Sequence, residues 1–89
     1  MSAFTGALSL PRCAELLAQA EGLLAHGSGP CTIDLAQTTA ADSAGLSLLL
    51  EIRRRAARAG RTLSYAGAPA QLRGLAQFFG VSPFLALSA

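Results

Sequence analysis

Thr38-Thr39-Ala40-Ala41-Asp42-Ser43-Ala44-Gly45-Leu46-Ser47-Leu48-Leu49-Leu50 is the stretch whose reading decides the fold. A strand-like run, Cys31-Thr32-Ile33-Asp34-Leu35, leads into it, and a helix-like run from Leu46 to Ala59 leads out. Between them lie an acid, a hydroxyl and a glycine: Asp42, Ser43 and Gly45. A helix start offers unpaired N–H groups and the positive end of the helix dipole, so a small polar group placed there either caps the helix or makes a contact.

Working outward, Ala3 to Leu8 alternate loosely and read as a first strand. Ser9 then stands as the cap of a helix with Pro11 in its first turn. In that helix Cys13, Leu16, Leu17, Ala20, Leu23 and Leu24 recur at spacings of three and four, the pattern of a buried stripe. His26-Gly27-Ser28-Gly29-Pro30 ends it, with His26 as a favourable charge at the helix C-terminus. Thr32 to Leu35 form the second strand and Gln37 to Asp42 a short loop. The second helix runs from about Ser43 to Ala59, and Gly60 stops it. Thr62 to Ala66 alternate as a third strand. Pro69 opens a third helix with a stripe of Leu72, Leu75, Ala76 and Phe79, and a last turn packs Phe84 and Leu85 back on the body. The order β-α-β-α-β-α argues an α/β sheet layered with helices, one domain over residues 1–89.

Composition fits that reading. The 89 residues are 52% hydrophobic and 13% charged, which excludes a disordered chain and suits one small Ala/Leu-rich domain. So few charges point to apolar surface covered by a partner. No apolar run reaches the roughly 18–20 residues of a membrane span, and the first residues lack the pattern of a secretory signal. Net charge is +2, with Arg53, Arg54, Arg55, Arg58 and Arg61 close together. Without interleaved aromatic residues, that cluster reads as the solvated face of a helix rather than a nucleic-acid patch. Cys13 and Cys31 have no ligand spacing and read as reduced core residues.

On the second helix, at about 100° per residue, Gly45, Leu48, Leu49, Ile52, Ala56 and Ala59 share a core arc. Ser43, Ser47, Glu51, Arg54, Arg55 and Arg58 face solvent. Leu46, Leu50 and Ala57 form an apolar edge beside the two serines. That edge is either covered by the first helix or the C-terminal turn, or it docks a partner together with Ser43 and Ser47, with arginines at its rim. Ser43 itself reads as an N-cap or as a phosphorylation site.

Catalytic signatures are missing. There is no phosphate loop, no GxGxxG, no GxSxG and no HExxH, and no base accompanies a serine nucleophile. Asp34 and Asp42 as a carboxylate pair lack a third group. The chain is not expected to be an enzyme, and no cofactor or metal is implied.

The run Ile33-Asp34-Leu35, then Asp42-Ser43-Ala44-Gly45-Leu46, then Leu48-Leu49-Leu50, resembles the signature of STAS domains. The likeness continues through Ala59-Gly60-Arg61-Thr62-Leu63 and through Leu72 to Val81. The resemblance implies a small α/β domain with a mixed central sheet and helices packed on it, here without the family's usual first strand, which would leave an open sheet edge. Two subgroups are implied. In anti-sigma factor antagonists the residue matching Ser43 is phosphorylated by an anti-sigma factor kinase. In the MlaB-type subunit of the Mla phospholipid-transport ABC system, the domain docks on an MlaF-like cytoplasmic ATPase through the surface around that position. Leu75-Ala76-Gln77-Phe78-Phe79-Gly80-Val81 looks more like the MlaB version. The resemblance thus implies a cytoplasmic accessory subunit, held peripherally at the inner membrane by its partner. The implied partner-binding or phospho-switch residues are Asp42, Ser43, Ala44, Gly45, Leu46, Ser47, Leu50 and Arg54.

Overall fold

A computed structural model describes residues 2–89. Strand β1 (Ser2–Leu8) runs into a 3-10 turn (Leu10–Arg12) and helix α1 (Cys13–Ala25). Strand β2 (Cys31–Ala41) leads to α2 (Ser43–Arg58), and β3 (Leu63–Ala66) leads to α3 (Ala70–Phe78) and α4 (Ser82–Leu85). The strands lie in the order β1-β2-β3, and both pairings are parallel. The sheet of the described residues is therefore parallel throughout, not mixed. Each strand reaches the next through a helical crossover, the connection that parallel neighbours require.

Strand alternation sorts the two faces. Phe4 and Leu8 of β1, Cys31, Ile33 and Leu35 of β2, and Leu63 and Tyr65 of β3 are buried under the helices. Ala3, Thr5 and Ser64 point the other way and stay exposed. Helix α1 contributes Leu16 and Ala20 to the core, and α2 contributes Leu46, Leu48, Leu49, Ile52 and Ala56. The Tyr65 hydroxyl donates to the Leu49 carbonyl at 2.7 Å and ties β3 to α2.

Several expectations change. β2 is not a short strand followed by a loop: it continues to Ala41, and its second half pairs Gly6 with Thr38 and Leu8 with Ala41. Two register shifts absorb the extra residues of β2, so a threonine- and alanine-rich run that looks loop-like stays in the sheet. Ser9 caps nothing with its side chain. Its carbonyl instead accepts from the Arg12 N–H at 2.9 Å, closing the 3-10 turn. The α1 stripe is narrower than its spacing suggests, because Cys13, Leu17, Leu23 and Leu24 are only half-buried. Phe79 and Phe84 are exposed while Leu85 is fully buried. Successive residues on a helix point about 100° apart, so four-residue α4 turns only one of the pair inward.

The free edge of β1 is not left bare. Ala3, Thr5 and Ala7 alternate along the strand, so their carbonyls share one side of it. The Gln19 amide donates to the Ala3 carbonyl at 3.0 Å, and one Arg12 nitrogen donates to the carbonyls of both Thr5 and Ala7. Gly6, at a φ of +80°, gives that guanidinium room, since a Cβ there would lie 2.9 Å from it. The 3-10 turn and helix α1 together thus cover the edge of the strand that precedes them, one of the ways natural sheets avoid edge-to-edge pairing.

Candidate functional site

The junction between β2 and α2 is built by Asp42. Its backbone is extended, and its carboxylate accepts from the Gly45 N–H at 2.9 Å, so Asp42 and not Ser43 is the N-cap of α2. The second carboxylate oxygen accepts from the Leu10 N–H at 3.4 Å. The Asp42 N–H donates to the Leu8 carbonyl at 3.1 Å, and its carbonyl accepts from Leu46. One aspartate therefore fastens the end of β1, the 3-10 turn and the start of α2 together.

Gly45 completes the fastening. A Cβ at this position would run into the Leu8 carbonyl and lie 2.9 Å from Leu8 Cβ. The first turn of α2 rests directly on the backbone of β1, and only glycine permits it. Leu46 follows into the core at 3% exposure.

Ser43 is left at the first helical position, exposed, with no hydrogen bond to its hydroxyl among the described residues. Ser47 is exposed one turn later, and Ala44 is half-buried beside it. The aspartate does the capping, so the serine is free to meet something else.

The apolar edge of Leu46 and Leu50 is not the open surface that a docking role needs. Arg53, two turns after Leu46 and so on the same flank of α2, donates to the Phe84 carbonyl at 2.8 Å. That bond holds α4 against this flank. Leu46 is buried, Leu50 is half-buried against the core, and only Ala57 stays exposed. The C-terminal turn covers the edge.

The open apolar surface lies on the opposite flank, between α1 and α2. A groove of about 410 Å³ is lined by Leu10, Cys13, Ala14, Leu17, Ala44, Ser47, Leu48 and Glu51. Leu10 is 69% exposed at its mouth. The Cys13 thiol donates towards the carbonyls of Ser9 and Ala44, joining the two helix starts at one end. At the other end Glu51 receives Arg54 at 2.7 Å and Arg55 at 2.8 Å, and Arg55 also pairs with Glu21 of α1. Hydrogen bonds from Arg55 and then Arg54 hold the Glu51 carboxyl below its usual range. The groove is thus apolar along its floor and charged at one rim.

Of the residues singled out from the sequence, Ser43, Ala44, Ser47 and Arg54 lie at or beside this groove. Asp42 and Gly45 hold its frame, while Leu46 and Leu50 belong to the other flank. Sequence reasoning missed Leu10, Ala14 and Leu17 as lining residues. The half-filled α1 stripe was the available signal: Cys13 and Leu17 fall beside the fully buried Leu16 and Ala20, a broader apolar arc than one neighbour covers.

Within the arginine cluster, Arg54 and Arg58 are exposed and Arg55 is half-buried, whereas Arg53 and Arg61 are turned inward. Arg53 donates to the carbonyls of Phe84 and Leu63 and stands 6.0 Å from the Tyr65 ring centroid. Arg61 donates to the carbonyls of Leu23, His26 and Gly29, closing the C-terminal end of α1. His26 bonds the Gly22 carbonyl through Nδ1 at 2.6 Å. Cys13 and Cys31 are free thiols. No helix among the described residues is long and apolar enough to cross a membrane.

Comparison with known proteins places this architecture. A family model described as "Mlab, STAS domain" matches residues 3–86. Among solved structures, the anti-sigma factor antagonist SpoIIAA in its unphosphorylated form superposes with a TM-score of 0.73 at 18% identity, over 98% of this chain and 76% of that one. A sulfate transporter family protein from Wolinella succinogenes superposes with a TM-score of 0.74 at 16% identity, over 97% of this chain and 72% of that one. At these identities the two structures share the fold alone. No curated protein matches the chain.

Proposed function

The chain belongs to the MlaB-like STAS domain family, and from that premise we propose that it is a non-catalytic accessory subunit of a bacterial phospholipid-transport ABC system. It binds the cytoplasmic ATPase of that transporter and stabilises or regulates it, and it reaches the inner membrane only through that partner. The observation that carries this reading is the apolar groove between α1 and α2, with Ser43 and Ser47 unengaged beside it. A groove with an apolar floor and a charged rim has the anatomy of a protein interface. Its frame is fixed in advance by Asp42 and Gly45, so little ordering cost falls on binding.

Co-expression with the cognate ATPase subunit tests it. Ala14→Glu and Ser47→Glu put charge into the groove at exposed positions and leave the core intact. Both are expected to abolish co-purification while circular dichroism stays that of the parent. Retained co-purification by both variants would reject the reading.

A second reading has one observation in its favour. Ser43 is exposed at the first position of α2 with a free hydroxyl, so a phosphate there would add charge beside the groove without breaking a cap. In that reading the domain is an anti-sigma factor antagonist switched on Ser43. Incubation with the cognate kinase and ATP would add one phosphate, lost in Ser43→Ala.

A further inference from the structure

Both walls of the α1–α2 groove carry the same spacing. Leu10, Cys13, Ala14 and Leu17 line one, and Ala44, Ser47, Leu48 and Glu51 line the other. Each set follows i, i+3, i+4, i+7, the positions that share one helix face over two turns. The walls also run in the same direction. The Cys13 thiol at the start of α1 meets the Ala44 carbonyl at the start of α2 at 3.7 Å, and Glu21, late in α1, pairs with Arg55, late in α2. Beyond the groove the same seam continues, where Glu21, Arg55, Arg58 and Ala59 line a cleft of about 450 Å³. From Ala44 to Arg58 the seam is about 21 Å long, four turns of helix.

The polar groups along the seam decide what fills it. The groove offers one free hydroxyl, on Ser47, and no strand edge, and the Cys13 thiol is already turned to the Ser9 and Ala44 carbonyls. An extended segment laid there would bury backbone N–H and C=O groups without partners, whereas a helix satisfies its own. A second copy meeting this one groove to groove would set two hollows face to face, which close packing disfavours.

Charge sets the direction. At the start of the seam the exposed Asp42 carboxylate has no cationic partner among the described residues, while Arg12 and Glu15 balance each other. At its far end two carboxylates, Glu21 and Glu51, stand against three guanidiniums, Arg54, Arg55 and the exposed, unpaired Arg58. The seam is therefore negative where α1 and α2 begin and positive where they run out. Helices favour acid in the first turn and base in the last. An occupant helix matches both ends when it lies antiparallel to α1 and α2.

We propose that the α1–α2 groove takes one amphipathic helix of about four turns, antiparallel to both walls. Its apolar stripe covers Ala14, Leu17 and Leu48, an acid in its first turn meets Arg58, and a base in its last turn meets Asp42. For the partner's identity this rests on the reading of the groove as the ATPase-binding face; the shape, direction and charge of the occupant do not.

The probes are three synthetic peptides of about fifteen residues with leucine and alanine at i, i+3, i+4, i+7. One has glutamate in its first turn and lysine in its last, one has these charges exchanged, and one carries the matched charges with a central proline. Each is titrated into the isotope-labelled full chain and followed by amide chemical shifts. The matched helix is expected to move the amides of Ala14, Leu17, Ala44 and Ser47, and a nitroxide on its first residue to broaden amides near Arg58 rather than Asp42. The exchanged helix is expected to bind at least about threefold more weakly, and the proline peptide at least about tenfold. Arg58→Glu should weaken the matched helix about threefold and strengthen the exchanged one, and Ala14→Glu should weaken both at least about tenfold. Ala14 and Arg58 are exposed, so the parent spectrum serves as the check on folding. No binding of the matched helix, equal binding of the proline peptide, broadening at Asp42 instead, or a groove already closed by self-association of the chain would overturn the proposal. Capture of the ATPase subunit by the parent but not by Ala14→Glu, with no helix bound, would reject the helix and keep the ATPase. Helix binding without capture would keep the helix and reject the ATPase.

Discussion

The carbonyl of Leu8 occupies the space that a side chain on Gly45 would need. The end of β1 and the first turn of α2 therefore meet backbone to backbone. This one contact fixes where α2 starts, and with it the position of Ser43, Ser47 and the groove.

Gly45→Ala is expected to destabilise the domain by about 3 kcal/mol, because the clash is with backbone that a neighbouring rotamer cannot relieve. Gly74→Ala, in α3 with open space around its Cβ, is expected to stabilise by about 0.5–1 kcal/mol. Urea unfolding of the two variants gives both signs in one experiment.

Asp42→Ala removes the cap of α2 and the tie to Leu10, and is expected to cost about 1–2 kcal/mol. Ser43→Ala removes a hydroxyl that caps nothing and should change stability by less than about 0.5 kcal/mol. A larger loss at Ser43 than at Asp42 would reverse the assignment of the cap.

Those two positions also mark how far the sequence could be read. The Asp-Ser-x-Gly-Leu run announces a strand-to-helix junction. Its spacing alone does not say whether the aspartate or the serine turns back to the first-turn N–H groups, because either side chain can. The order of elements along the chain and the α/β class followed from alternation, whereas the all-parallel pairing of the strands did not. The length of β2 did not, because Thr38 to Ala41 carry no apolar alternation and are held in the sheet by pairing with β1. Which of the two readings of the Leu46 and Leu50 edge holds, covered or open, was not legible for a related reason. A helical wheel shows that Leu46 and Leu50 share an edge, but not that Arg53 draws α4 over it through the Phe84 carbonyl.

Burial pushes the Tyr65 hydroxyl well above its ordinary range, with Arg53 pulling weakly the other way. In the unfolded chain the phenol ionises near pH 10, while in the folded domain it stays protonated. The unfolded state then binds fewer protons, so stability is intact below about pH 10 and falls above it by up to about 1.4 kcal/mol per pH unit. Tyr65→Phe should lose this slope. Since Tyr65 is the only tyrosine, tyrosinate absorbance reads the same titration directly, and ionisation near pH 10 in the folded protein would contradict the burial argument.

Arg12→Ala uncovers the Thr5 and Ala7 carbonyls on the edge of β1. The variant is expected to remain folded and to self-associate at concentrations where the parent does not, as unguarded edge strands do. Sedimentation velocity over a concentration series measures it, and an unchanged sedimentation profile would mean the edge is covered in another way.

The most direct test of the central claim is the affinity of this domain for the cognate ATPase subunit, measured by calorimetry on the parent, Ala14→Glu and Ala57→Glu. Ala14 lines the α1–α2 groove, and Ala57 is exposed on the flank that α4 covers. The account predicts that Ala14→Glu weakens binding at least about tenfold, a loss of about 1.4 kcal/mol, while Ala57→Glu leaves it within about twofold. Full affinity in Ala14→Glu together with loss in Ala57→Glu would contradict it and return the interface to the other side of α2.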